Sequence, residues 1–221
     1  MAILQFPDPR HTTPEGILAL GGDLEPSSLL LAYRQGIFPW PMDGIPLAWF
    51  CPPERAILEW DQLHRPRSLM KAQRSSGFAF TLDQAFPQVI RECSTSPRPG
   101  QRGTWITDEM IEAYCTMHKL GHAHSVEVWK DGDLVGGIYG MEAGGAFAGE
   151  SMFYKASNAS KLAILFLMEY LHSRNLDWMD IQTLTPHMEH LGAREISRNA
   201  FLKKLKETQS MGLQLFPKGP K

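Results

Sequence analysis

The stretch that most constrains the fold runs from Ala159 to Ser173, whose first turns (Ala159 to Met168) are apolar nearly all round except at Ser160 and Lys161. A helix without a polar face has to be covered on every side, so it belongs in a core. Ser157 or Asn158 provides a cap in front of it. Strand-like runs flank it at 145–152 and 178–182. Upstream, the runs 124–130 and 134–141 bracket Asp131-Gly132, a strong hairpin signal. Three antiparallel strands, a buried helix and a fourth strand predict an α/β (α+β) fold class built on a mixed sheet. Gly136, Gly137 and Gly140 fall inside a strand, where glycine marks a bulge or the close approach of another backbone.

The first ~60 residues differ in texture. They are rich in Pro, Gly and Trp and contain one clear helix, 26–35, with Pro26 in its first turn and Gly36 as its stop. The expected organisation is a small loop-rich N-terminal domain at 1–60 followed by a larger domain at 61–221. Short strands are expected at 47–50 and 55–58, separated by Pro52-Pro53. Further helices are expected at 65–75, 83–93, 107–120, 186–191 and 197–208, and a Pro/Gly/Ser loop at 94–103.

Three cysteines, Cys51, Cys93 and Cys115, stand apart with no CxxC spacing, which fits reduced thiols in a cytoplasm. The longest uncharged apolar run, 162–168, is far too short for a membrane span, and the first residues lack a basic signal region. A soluble cytoplasmic protein is expected. The net charge of −2 conceals an uneven distribution, because between Gln62 and Leu82 every charged residue is basic. Arg67, Lys71 and Arg74 recur at i, i+4 and i+7 on one helix face, and Arg65 adds to them. Such a face suits a solvated surface or the phosphates of a polyanion.

Asp180 and Gln182 are two apart on a strand, so they share a face, with Ile181 turned to the core. Glu150 ends a glycine-rich strand on the other side of the buried helix. Two acids and an amide gathered by a strand–helix–strand unit suggest proton handling or substrate clamping. A backbone-bonded Asp and a salt-bridged Glu are the structural alternatives. His122 and His124 lack a third ligand at metal-binding spacing and read as structural. No phosphate-binding Walker or Rossmann glycine pattern is present.

Five runs, in order along nearly the whole chain, resemble the bacterial leucyl/phenylalanyl-tRNA–protein transferases: 18–24 (LALGGDL), 32–40 (AYRQGIFPW), 103–107 (GTWIT), 121–129 (GHAHSVEVW) and 149–153 (GESMF). The resemblance implies an acetyltransferase-like (GNAT-like) domain after the small N-terminal one. It implies transfer of Leu or Phe, and less well Met, from aminoacyl-tRNA to the N-terminal amine of proteins beginning with Arg or Lys, which marks them for N-end-rule degradation. Asp180 and Gln182 then correspond to the catalytic pair and Glu150 to a substrate-positioning acid. The aminoacyl pocket is expected from Trp49, Phe50, Trp105, Ile138, Phe147, Leu167 and Met179. Arg65, Arg67, Lys71 and Arg74 are expected to hold the tRNA acceptor stem. The aminoacyl ester is already activated, so no metal or diffusible cofactor is expected, and a monomer is the default. Two rivals remain: a GNAT-type acyl-CoA N-acyltransferase, whose pyrophosphate loop should carry glycines absent from Tyr154 to Ser160, and a non-catalytic tRNA-binding module.

Overall fold

The computed structural model describes residues 2–42, 44–96 and 104–216; most of the 94–103 loop, including Gly103, lies outside them. In chain order the elements are β1 (Ile17–Leu20), α1 (Pro26–Arg34), β2 (Phe38–Trp40), β3 (Ala48–Phe50), β4 (Glu54–Glu59), α2 (Arg67–Ser75), β5 (Ala79–Leu82), α3 (Phe86–Thr95) and α4 (Asp108–Lys119). There follow β6 (Ala123–Lys130), β7 (Asp133–Ala143), β8 (Ala146–Tyr154), α5 (Ala159–Ser173), β9 (Trp178–Gln182), α6 (Pro186–Glu189), β10 (Arg194–Ser197) and α7 (Arg198–Ser210).

A seven-stranded sheet in the order β10-β4-β9-β8-β7-β6-β5 forms the body, and β1-β3-β2 make a small antiparallel sheet. Every neighbouring pair in the large sheet is antiparallel except β8 and β9, which are parallel and joined by the α5 crossover. The β6–β7 hairpin turns on Asp131 and Gly132, both at positive φ (52° and 89°), as the Asp-Gly pair requires. α5 buries Leu162, Ile164, Leu165, Leu167, Met168 and Leu171. Each such side chain taken out of water contributes about 1.5–3 kcal/mol before chain entropy is counted. Gly136 on β7 makes that packing possible, since a Cβ there would lie 2.6 Å from Cβ of Ala159 at the helix start.

Buried apolar side chains around the sheet fall into two contiguous clusters. α5 and α7 share one with Ile57, Ile138 and Met179. In the other, Tyr33, Phe38 and Trp49 of the N-terminal region pack with α3, α4 and residues of β7 and β8.

Several local features depart from the sequence expectations. Asn158 occupies the position before α5 but is left-handed (φ 67°), and its side chain makes no capping bond. α3 begins at Phe86, not at Asp83, because the Asp83 carboxylate is engaged elsewhere: it accepts from Ser125 N and bonds His124 Nδ1. β4 hydrogen-bonds between β10 and β9 in the large sheet, so its residues, placed within 1–60 above, help build the main sheet. The strands β1, β2 and β10 were not foreseen. They are three or four residues long, and β2 carries Pro39, tolerable because β2 is an edge strand.

Candidate active site

Although β8 and β9 run side by side, they share one register pair, Ala148 with Asp180. Each strand carries an extra residue beside that point. On β8, Ser151 pairs with Tyr139 and Gly149 with Gly140, so Glu150 has no opposite residue. On β9, Gln182 pairs with Ala56 and Asp180 with Ile57, which leaves Ile181 over. Bulges of this kind bend a strand and re-aim its side chains. Here they bring the Gln182 amide across to Glu150, where Nε2 donates to Oε1 at 2.8 Å.

Gln182 is itself left-handed (φ 57°), a conformation that costs a non-glycine residue about 1–3 kcal/mol unless its surroundings impose it. Asp180 imposes it. Asp180 Oδ1 accepts the Gln182 backbone N–H at 3.0 Å. The same carboxylate is gripped by Arg55 of β4: Nε donates to Oδ1 at 2.8 Å and Nη2 to Oδ2 at 2.7 Å. Arg55 is 1% exposed, and its guanidinium lies between the rings of Phe38 (4.6 Å) and Phe201 (4.5 Å).

On the other side, Tyr114 OH donates to Glu150 Oε2 at 3.4 Å, and the Tyr33 and Tyr114 hydroxyls are 2.5 Å apart. Burial pushes the Glu150 carboxyl up to about 8, the nearby Asp180 charge adds to this, and the tyrosine hydrogen bonds and Arg55 oppose it. Burial and the Glu150 charge raise both tyrosines well above their usual value. The result is a hydrogen-bonded chain from Arg55 through Asp180 and Gln182 to Glu150 and two tyrosines. With its Nε2 committed to Glu150, the Gln182 amide has its Oε1 left as an acceptor, a suitable group for an amine N–H.

The raised Glu150 value carries a stability prediction. The folded state holds this proton between pH 4.5 and about 8 while the unfolded chain releases it, so stability from this group is full at low pH and is lost as pH rises through that window. Relative to a Glu150→Gln variant, wild-type unfolding free energy should drop by about 2 kcal/mol across it, discounted because the residue is partly open to solvent. Denaturant titrations of both proteins over that range would show it. A difference that stays flat with pH would mean that Glu150 titrates normally.

The residues expected to line an aminoacyl pocket divide between the two cores. Ile138, Phe147, Leu167 and Met179 are buried in the cluster that contains α5, whereas Trp49 is buried in the cluster of the N-terminal region and the half-buried Phe50 and Trp105 pack against it. Trp49 is buried against Phe6, and its Nε1 donates to the Gly21 carbonyl at 2.8 Å. Trp40, like Trp105, is half-buried: its ring stacks on Trp105 at 5.3 Å and sits beside Phe38 at 6.2 Å, the ring that covers Arg55. Arg65, Arg67, Lys71 and Arg74 are all exposed; the last three lie on α2, whereas Arg65 precedes the helix, which starts at Arg67 and not at 65 as expected. Arg65 lies over the Trp60 ring at 4.0 Å, and Trp60 in turn stacks on His172. His124 stacks on Phe216 besides bonding Asp83, and no group of three metal-binding side chains occurs among the described residues.

Arg55, Tyr33, Tyr114 and Trp40 join the site's surroundings without having been singled out from sequence. Arg55 had one visible signal: a charged residue opening the apolar run Ala56-Ile57-Leu58.

The profile of the family Leucyl/phenylalanyl-tRNA protein transferase matches residues 57–206, and that of its N-terminal domain matches residues 22–53. A leucyl/phenylalanyl-tRNA–protein transferase of Anaeromyxobacter sp. (strain K) is 48% identical over 200 residues, covering 90% of this chain and 86% of that one. Its counterpart in Oleidesulfovibrio alaskensis is 47% identical over 216 residues, covering 96% and 87%. Among solved structures, FemX shares the fold, with a TM-score of 0.51 at 11% identity over 82% of this chain and 71% of that one. The α/β class on a mixed sheet expected from the sequence is borne out, and FemX shares that fold.

Proposed function

This chain belongs to the leucyl/phenylalanyl-tRNA–protein transferase family, an aminoacyltransferase family, and from that premise we propose the following donor, acceptor and site. The donor is Leu or Phe, and less well Met, esterified to the 3′ end of tRNA. The acceptor is the N-terminal amine of a protein beginning with Arg or Lys, which is thereby marked for N-end-rule degradation. The protein acts as a cytoplasmic monomer; no helix among the described residues is long and apolar enough to cross a membrane. Residues 1–60 contribute the small N-terminal domain, with β4 at their end built into the main sheet of the 61–221 transferase domain.

The observation that supports this reading best is the Asp180–Gln182–Glu150 arrangement beside the single register pair of β8 and β9. In the reaction the amine nitrogen attacks the ester carbonyl carbon, a C–N bond forms, and the C–O bond to the terminal ribose breaks. The amine proton leaves and the ribose oxygen takes one up, so the step balances without a redox partner. The difficulty lies in presenting a neutral amine, because a free α-amine has a pKa near 8 and is partly protonated at neutral pH. Gln182 Oε1 accepts the amine N–H and orients the lone pair, while Asp180 acts through Gln182 by holding it. Glu150 fixes the aminoacyl group. The side chain of that group enters an apolar pocket drawn from Trp49, Phe50, Trp105, Ile138, Phe147, Leu167 and Met179. Arg65, Arg67, Lys71 and Arg74 hold the acceptor stem through its phosphates.

The test is transfer of labelled leucine from Leu-tRNA to a peptide beginning with Arg, beside the same peptide N-terminally blocked and beside acetyl-CoA as donor. Transfer from tRNA to the free peptide alone is expected, and acetylation in its place would reject the reading. Reversing the charges of Arg67 and Lys71 together should weaken tRNA binding and reduce the slope of log K against log salt by at least about 1.4–1.8, the share of two lost phosphate contacts. An unchanged slope would place the tRNA elsewhere.

A further inference from the structure

Arg55 invests heavily in one contact. Both prongs of its guanidinium meet Asp180, and its two faces are covered by a ring from β2 and a ring from α7. The remaining Nη1 is buried with no hydrogen-bond partner among the described residues. As a stabilising device this is poor, because taking two charges out of water offsets most of their attraction, and an unpaired buried donor adds to the loss. What a forked, ring-clamped guanidinium supplies well is direction.

That direction matters one bond further on. Asp180 Oδ1 accepts at once from Arg55 Nε and from the backbone N–H of Gln182, the residue held at φ 57°. A carboxylate free to rotate would not keep that N–H, and Gln182 could relax toward ordinary strand geometry with its amide turned away from Glu150. We infer that Arg55 is a positioning residue for aminoacyl transfer: it fixes the Asp180 carboxylate so that Asp180 holds Gln182 in its left-handed conformation, with the side-chain amide set for the reacting amine. The inference rests on the reading that Asp180 and Gln182 serve the transfer.

Three single variants and one double separate the two. Arg55→Lys keeps the charge and loses the fork, so kcat should fall about tenfold while the KM for aminoacyl-tRNA stays within about twofold. Arg55→Met should fall about a hundredfold, to the level of Asp180→Asn. The double variant Arg55→Met/Asp180→Asn should be no slower than Asp180→Asn alone, since Arg55 acts through that carboxylate. All are assayed below their melting temperatures, with tRNA affinity measured in parallel. If Arg55→Met does not fold, Arg55→Lys carries the comparison by its kcat and KM.

An inactive Asp180→Asn beside Arg55 variants that melt earlier but keep wild-type kcat would overturn the inference alone and leave Arg55 a packing residue. Losses that multiply in the double variant would overturn it too. Full turnover by Asp180→Asn would instead reject the underlying reading of the site.

Discussion

Replacing Asp180 by Asn should lower kcat for leucine transfer by about a hundred- to a thousandfold, the range seen when a positioned catalytic group is displaced or an electrostatic contact is lost. The asparagine carbonyl can still accept the Gln182 N–H, but its NH2 must then face Arg55 Nη2, donor against donor, where a carboxylate oxygen accepted at 2.7 Å. One of the two contacts has to go. If the Gln182 contact goes, the left-handed residue is released and its amide no longer meets Glu150 at 2.8 Å. If the Arg55 contact goes, a guanidinium with 1% exposure is left without its counter-charge. Breaking a buried pair from one side costs about 3–5 kcal/mol, so melting should also come earlier. The exposed arginines and lysine of α2 are untouched, and tRNA affinity should stay at the wild-type level. Single-turnover kinetics with preloaded Leu-tRNA, run well below the variant's melting temperature, separate chemistry from stability. A variant that turns over like wild type with unchanged tRNA binding would remove Asp180 from the mechanism.

A methyl group at position 140 should cost nearly as much by another route. A Cβ on Gly140 would lie 2.3 Å from the carbonyl oxygen of Ala148 and 2.6 and 2.7 Å from the Phe147 ring. The carbonyl is backbone of the neighbouring strand, so relief means prising β8 from β7 where Gly140 pairs with Gly149, directly before Glu150. Overpacking of this severity destabilises by about 3 kcal/mol or more. For a chain of this length that is a fall in Tm of roughly 6–12 °C. The transfer rate of the folded fraction should drop as well, because the shift lands on the bulge that aims Glu150. Thermal melting and transfer assays on Gly140→Ala check both parts. An alanine variant with wild-type Tm would show that β7 and β8 do not approach this closely.

Much of the fold could be read locally. The all-round apolar character of α5, the Asp131-Gly132 turn and the glycines of β7 are each encoded within a few residues, and the elements they predict are present. Short-range rules failed where a side chain had a distant preference. Asp83 reads as a helix start by composition, yet it bonds Ser125 42 positions away. Asn158 has the right chemistry for a cap, but a left-handed backbone turns its side chain from that task.

The site divides in the same way. Asp180, Gln182 and Glu150 could be picked from sequence because acids and an amide on the strands beside a buried helix stand out from an apolar background, although Glu150 lies in the middle of β8 and not at a strand end as expected. What holds them could not. Arg55 meets Asp180 across 125 positions, and Tyr33 reaches Tyr114 across 81. Sequence periodicity relates residues two to four apart, and it carries no information on which strands become neighbours. The half-burial of Trp40 and the full burial of Trp49 were likewise settled by packing, since both lie in strands of similar composition. By itself the sequence determined most of the elements, their amphipathic faces and the side chains proposed for the site, because each is a property of a short segment. Tertiary structure alone decided the bulges, the left-handed Gln182 and the clamp on Asp180, because each exists only where segments far apart in the chain are pressed together.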